Sequence, residues 1–391
     1  MALPLELMHP RLMAIGDSIY NGMRSVTIDA SKTQMSPPAL IARGLGIASF
    51  TVPDLPRPVI ADLERWLEYC SPILGVPLAL PRIRQEIRDS IRFWATGDAN
   101  VPSPGGHRVF DNIAFAGATI QDMYQLTAEK ADAVARGFAM QALAADGIGG
   151  LLENIGDLLI NANARFTLAP DPELSEANPF RRRTSMEIVA MRQPERLVVS
   201  IGHNNGLVDI MMRAEPAGSA HLAKQCDLYY PELIRQLCAL PATVKAIYVN
   251  LLPAPSAVSS LMPISTEKID TELGTYFSRY ETRVGYRYGT YTGERLCKID
   301  KDIRDLNQWI IDQFRAADVL GRVHFVDIFS RMKAVDSKTM VAPLPIPSSL
   351  APRPVPMSAS RLIPSFPAAQ DSREVAFRAS TASTSPPSAM R

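Results

Sequence analysis

Three short segments carry the residue types that could do chemistry. Residues 12–18 are an apolar run that stops on Gly16-Asp17-Ser18. A buried strand breaking onto Gly and then Ser can present one hydroxyl at the carboxyl edge of a sheet, where open α/β sheets put their chemistry. Residues 110–119 end a second apolar run near Gly117, where a backbone N–H can come close to a ligand. Residues 197–206 end a third on Gly202-His203-Asn204-Asn205, with two carboxamides. A hydroxyl, a free N–H and an amide NH₂ on one edge are the parts of an acyl-transfer site. The hydroxyl attacks a carbonyl, and preorganised donors hold the oxyanion that develops.

The elements that must position these groups are legible in the apolar pattern. Five partly β-branched runs read as buried strands: 11–15, 109–115, 196–201, 244–251 and 322–328. Amphipathic or apolar helical spacing is read at 59–70, 83–93, 121–166 with a break near 147–150, 219–240, 267–280 and 301–317. Strand and helix in alternation predict a parallel sheet with helices on both faces. The connections 30–108, 125–190 and 255–300 exceed a plain crossover and are expected to add cap or lid material. Tyr286 to Tyr291 reads as a hairpin in the third.

The ordered set resembles the SGNH, or GDSL-type, hydrolase family. Gly16-Asp17-Ser18 is similar to its first block, Asn112 to Gly117 to its second, and Gly202-His203-Asn204-Asn205 to its third, usually Gly-x-Asn-Asp. The resemblance covers about residues 11–330. It implies a three-layer, flavodoxin-like, five-stranded α/β fold and a carboxylic ester hydrolase. It also implies Ser18 as nucleophile, with the N–H groups of Ser18 and Gly117 and the Asn204 side chain as oxyanion hole. Asp17 would support them. Asn205 stands where the family has Asp, which alters the hydrogen bonding of that loop.

The family's general base comes from a late Asp-x-x-His, and no such pair is present. The histidines are His9, His107, His203, His221 and His324, and none has Asp three positions earlier. His324 falls inside a strand, and His107 reads as a loop residue. His203 is the candidate substitute base. Its neighbour Asn204 has to point into the site, so His203 is expected to point elsewhere. Asp327 and Asp336 are candidate acids only by position. Without a base a serine is a poor nucleophile at neutral pH, and a chain of this sequence is expected to be weak or inactive. A non-catalytic small-ligand binder on the same fold is the alternative, and a flavodoxin-like nucleotide binder a third reading. Gly147, Gly149 and Gly150 do not follow a strand and lack phosphate-loop spacing. Arg181 to Arg183 read as a solvated loop.

Bulk properties bound the rest. With 391 residues, 47% hydrophobic and 21% charged, the chain has the composition of a globular protein. A net charge of +1 gives no reason to expect a nucleic-acid partner. No apolar run reaches membrane-span length, and no signal peptide is evident, so a cytoplasmic protein is expected. Four scattered cysteines without a Cys/His cluster predict neither a metal site nor a redox pair, and no cofactor is implied. The partner expected is a small-molecule or lipid ester. One catalytic-type domain is read over 1–335. From 340 to 391 the composition shifts abruptly, with ten prolines and ten serines after residue 340 and no Gly, Lys, Asn, Tyr, Trp or His. Such a tail reads as natural disorder or as out-of-frame sequence, and the abruptness favours the second.

Overall fold

The computed structural model describes residues 7–70, 76–96, 109–144, 155–170, 176, 178–213, 218–258, 261–284, 287–336 and 338. The chain divides into two units, Met1–Ala342 and Pro343–Arg391, and all described residues belong to the first. The Pro/Ser-rich tail, His107 and the Gly147 to Gly150 cluster lie outside the described residues.

The strands in chain order are β1 (Met13–Gly16), β2 (Arg196–Ser200), β3 (Ala246–Asn250), β4 (Leu261–Pro263), β5 (Lys268–Thr271), β6 (Gly274–Phe277), β7 (Arg279–Val284), β8 (Arg287–Thr292) and β9 (Val323–Val326). Four form one parallel sheet in the order β1-β2-β3-β9. Ala14 lies beside Val198, Val198 beside Tyr248, and Tyr248 beside His324. All four carboxyl ends therefore share one edge. The fifth expected run, 109–115, continues the sheet beyond β1 without becoming a regular strand. Ala14 N–H donates to the Asp111 carbonyl (2.8 Å), Ile113 N–H to Ala14 (2.9 Å) and Phe115 N–H to Gly16 (3.1 Å), with one parallel bridge between Ala14 and Asn112. Its irregularity has a local cause. The N–H groups of Asp111 and Asn112 both turn to the Thr51 carbonyl, and Ala114 N–H is taken by the Asn112 side chain.

The period-2 alternation of the strands sorts side chains to two faces. Met13, Ile15, Leu197, Val199, Ile247 and Val249 join the main core. The helices Gly218–Cys238 and Gly293–Ala317 add Leu222, Leu233, Leu296, Ile303 and Phe314 to it. Leu12, Ala14 and Val198 face the other way, with Tyr20, Ala42, Ile47 and Ala114. That second layer thins toward β9, whose His324 and Val326 are exposed. A groove of about 470 Å³ remains there, lined by Leu12, Tyr20, Ile41, Val198, Tyr248 and Val326 among others.

Most expected helices are present with shifted ends: Leu63–Tyr69, Val76–Thr96, Ala128–Ala144, Ile155–Leu168, Gly218–Cys238 and Gly293–Ala317. The helix expected at 267–280 is not there. That stretch forms β5, β6 and the start of β7, as two antiparallel units, β5-β6 and β4-β7-β8. The Thr271 hydroxyl accepts from Leu273 N–H and donates to the Gly274 carbonyl, closing a tight turn where a helix would have to continue. Tyr276, Tyr280 and Tyr291 are buried from these strands. The Tyr-rich stretch expected to form a hairpin instead supplies one strand, β8, which pairs antiparallel with β7 within the insertion expected over 255–300. Among the described residues, no helix is long and apolar enough to cross a membrane.

Gly16 is where the sheet and the site meet. Its φ is +153°, and a Cβ there would lie 2.2 Å from the Ser200 carbonyl oxygen on β2. Two backbones approach more closely than any side chain allows. Gly16→Ala is expected to lower stability by about 2–4 kcal/mol in urea unfolding, since backbone and neighbour must both give. Gly44→Ala is the control. It closes a helix with open space around its Cα, and it should be neutral or stabilising by up to about 1 kcal/mol.

Candidate active site at the carboxyl edge of the sheet

β1 ends at Gly16, and the chain turns at once into the short helix Ser18–Asn21. Asp17 is the N-cap of that helix, its carboxylate accepting from Ile19 N–H at 3.1 Å. Asp17 N–H donates to the Ser200 carbonyl at 3.1 Å, so the turn after β1 is tied to the end of β2. Ser18 is left half-buried at the first helical position. Among the described residues neither its hydroxyl nor its backbone N–H has a hydrogen-bond partner.

The second segment is held by carboxamides. Buried Asn112 donates to the Tyr20 carbonyl at 2.8 Å and accepts from Ala114 N–H. Asn163 accepts from Ala116 N–H at 2.8 Å. Gly117 follows at φ +72°, where an added Cβ would meet the Ile160 side chain at 2.5 Å. Its N–H donates to no acceptor among the described residues. The third segment begins after β2 with a 3-10 turn, His203–Asn205. Asn204 is half-buried and donates to the Ala118 carbonyl at 2.8 Å, leaving its second amide hydrogen free. Asn205 accepts from Ile120 N–H at 2.9 Å and donates to the Gln121 side chain at 3.2 Å. A carboxylate could not do both, since it only accepts. Asn205 thus supports the 117–121 loop with both ends of its amide, the position at which the sequence departs from Gly-x-Asn-Asp.

His203 departs from expectation. Its ring turns inward, and Nδ1 bonds to the Asp17 carboxylate at 2.5 Å. The reason is the tight turn. Successive residues of a 3-10 turn point about 120° apart, so Asn204 can reach toward Ala118 while His203 reaches back toward β1. Asp17 is wholly buried and His203 nearly so. Burial alone would pull the imidazole pKa down, but the charge of Asp17 and its hydrogen bond outweigh this and hold it above its ordinary value. Around the pair, burial pushes the hydroxyls of Tyr20 and Tyr230 up, and the charge of Asp17 adds to both shifts.

The other sequence candidates are occupied elsewhere. Asp327 caps the helix Ile328–Ala334 through Ser330 N–H. Asp336 is buried and accepts from Lys338 N–H, with the Lys338 ammonium 3.5 Å away. His324 stacks on Tyr248 with ring centroids 5.2 Å apart. His9 and His221 are exposed. Arg181, Arg182 and Arg183 form ion pairs with Glu129, Glu176 and Glu187. Among the described residues no group of three His, Cys, Asp or Glu is arranged to hold a metal ion. The four cysteines are free thiols.

Sequence reasoning missed one further polar cluster. Buried Asp300 accepts from the Ser256 hydroxyl, from Ser256 N–H at 3.1 Å, from the Tyr276 hydroxyl at 2.6 Å and from the Lys333 ammonium at 3.4 Å. Lys333 also donates to the Ser256 hydroxyl at 3.1 Å. Every group is satisfied within the cluster, which pins the helix after β9 to the insertion. No local pattern signals it, because its members come from four separate elements. Comparison with protein-family models, with curated proteins and with solved structures finds no match to this chain.

The Asp17–His203 pair makes stability depend on pH. A pKa raised on folding means that the folded state holds its proton more tightly. The stabilisation is complete below the unfolded imidazole value of about 6.5 and is lost as pH rises through the higher folded value. Urea unfolding at a series of pH values should show wild-type stability falling above about pH 6.5, with the slope removed in His203→Gln. An unchanged slope in that variant would place the titration on another group.

Proposed function

We propose that this chain is a serine hydrolase of the SGNH, or GDSL, type that cleaves a carboxylic acyl ester. Ser18 is the nucleophile. The N–H groups of Ser18 and Gly117 and the free hydrogen of the Asn204 amide hold the oxyanion. The observation that carries this reading is the set of donors without acceptors. The Ser18 N–H, in the first turn of its helix, the half-buried Gly117 N–H and the second Asn204 amide hydrogen have no acceptor among the described residues, and the Ser18 hydroxyl is unpaired as well. The segments bearing them are joined within a residue or two. Asn204 bonds to Ala118, His203 to Asp17, and Asp17 to Ser200. Donors fixed in this way need no reorganisation as negative charge develops on the carbonyl oxygen.

The strand order supports the same reading. Counting 111–115 as the second element along the chain, the sheet runs second, first, third, fourth, fifth. That order matches the flavodoxin-like doubly wound arrangement, in which ligands bind at the carboxyl ends of the strands at the switch point. A second reading is a binding protein that keeps the cradle and has lost turnover. It is favoured by the lack of a late Asp-x-x-His in the sequence.

A fluorophosphonate probe separates the two, since it labels only an activated serine. Labelling of wild type but not of Ser18→Ala, with hydrolysis of a p-nitrophenyl ester lost in the same variant, is the outcome expected of a hydrolase. Asn204→Ala should then lower kcat by about 10²–10³ with KM little changed. An unlabelled wild type would leave the binding reading in place.

A further inference from the structure

We propose that His203 is the general base for Ser18 and that Asp17 is its positioning residue, replacing a late Asp-x-x-His. This rests on the hydrolase reading above. A serine triad needs a carboxylate on one imidazole nitrogen and an open second nitrogen turned to the hydroxyl. Asp17 holds Nδ1 of His203 at 2.5 Å. An ionised carboxylate can only accept, so Nδ1 carries the hydrogen and Nε2 is the atom available as base. Nε2 has no partner among the described residues, yet it is not one of the buried unpaired atoms, so what exposure the ring keeps includes it. The Ser18 hydroxyl is also unpaired and half-buried, and Ser18 follows Asp17 directly in the chain. Both residues are joined to Asp17, Ser18 through the chain and His203 through the hydrogen bond, at the ends of the neighbouring strands β1 and β2. Nucleophile and base often stand loosely in the free enzyme and close on the substrate. The other described histidines are unsuited. His107 lies outside the described residues; His9, His221 and His324 are exposed, and none is bonded to a carboxylate among the described residues.

The proton account closes. As the Ser18 oxygen bonds to the ester carbonyl carbon, His203 Nε2 takes the hydroxyl proton. When the carbon–oxygen bond to the alcohol breaks, His203 returns that proton to the leaving alcohol. Water then attacks the acyl-serine and gives its proton to Nε2. The acid leaves, and the Ser18 oxygen regains the proton.

The pH dependence follows from the groups around the ring. The elements packed against it carry Asp17 and Tyr20 beside β1, Asp209 and Arg213 on the helix Leu207–Arg213, and His221, Lys224, Cys226, Asp227, Tyr229, Tyr230, Glu232, Arg235 and Cys238 on the helix Gly218–Cys238. Burial pushes Cys226 up to about 12 and raises Tyr20 and Tyr230, so these three stay neutral. Asp17 is the charge bonded to the ring. A base works only when unprotonated, so the rate should rise with pH through a midpoint above the ordinary imidazole value.

The test is kcat/KM for p-nitrophenyl acetate against pH, on wild type, His203→Gln, His203→Ala and Asp17→Asn, with fluorophosphonate labelling of each. Wild type should show one acid limb with a midpoint above about pH 6.5. His203→Gln should lose about 10³–10⁴-fold in rate and the limb with it. Asp17→Asn should move the limb to lower pH. Added imidazole should restore part of the rate to His203→Ala, which a merely structural histidine would not permit. A flat wild-type profile overturns the proposal even if the variants do not fold. So does a His203→Gln enzyme with wild-type rate and profile, while labelled Ser18 would leave the hydrolase reading standing. Absence of Ser18-dependent turnover and labelling in wild type overturns both.

Discussion

The buried carboxylate of Asp17 is the constraint on which the rest of the edge depends. One residue follows β1, caps the helix Ser18–Asn21 and receives His203 from the turn after β2. A buried carboxylate without partners is costly. Here one oxygen takes Ile19 N–H and the other takes the imidazole, so its desolvation is offset only while both strand ends stay in place. The arrangement of Ser18 is a consequence. Asp17 stabilises the start of the helix that begins there by capping it, and Asp17 is held by its own N–H on Ser200.

The remaining loops are fastened mostly by carboxamides rather than by charge. Asn112, Asn163, Asn204 and Asn205 each satisfy backbone groups of the 112–121 segment or of the helix after β1. An amide can donate and accept at once and carries no desolvation penalty of a full charge. Charge is kept to places where it is matched. Buried Arg192 meets Asp111 at 2.8 Å and also donates to the Leu7 and Phe110 carbonyls. Buried Arg322 donates to four carbonyls around the end of the helix Gly218–Cys238. These pairs hold the sheet from its other side and leave the site edge with one buried ion pair, Asp17–His203. The proton that strengthens this pair is the one that a base at His203 has to give up, so stability and the proposed activity pull in opposite directions as pH rises.

How much was legible depends on the range of the interaction that decides each feature. The runs at 11–15, 196–201, 244–251 and 322–328 are strands within a residue or two; β1 and β2, buried on both faces, write their apolar residues consecutively, while β3 and β9 alternate more and less buried positions. The stretch 267–280 misleads for the opposite reason. Its apolar residues fit a helical period as well as an alternating one, and the Thr271 turn with the pairing to β4 and β8 selects the strands. The run 109–115 is extended as expected, yet contacts with Thr51 and its own Asn112 side chain keep it from pairing regularly.

For the site, the sequence by itself determined which groups arrive at the edge: Ser18 after one strand, Gly117 after another, Asn204 after a third. Each is a local matter of an apolar run stopping on a small residue. Only the tertiary structure decided what those groups do with one another. That Asn204 reaches Ala118, that Asn205 spans to Ile120 and Gln121, and that His203 turns back to Asp17 are contacts across 84 to 186 residues of chain. No spacing encodes them. They follow from the parallel register of β1 against β2 and from the angular step of a three-residue turn, which sends two neighbouring side chains to different walls of the same site.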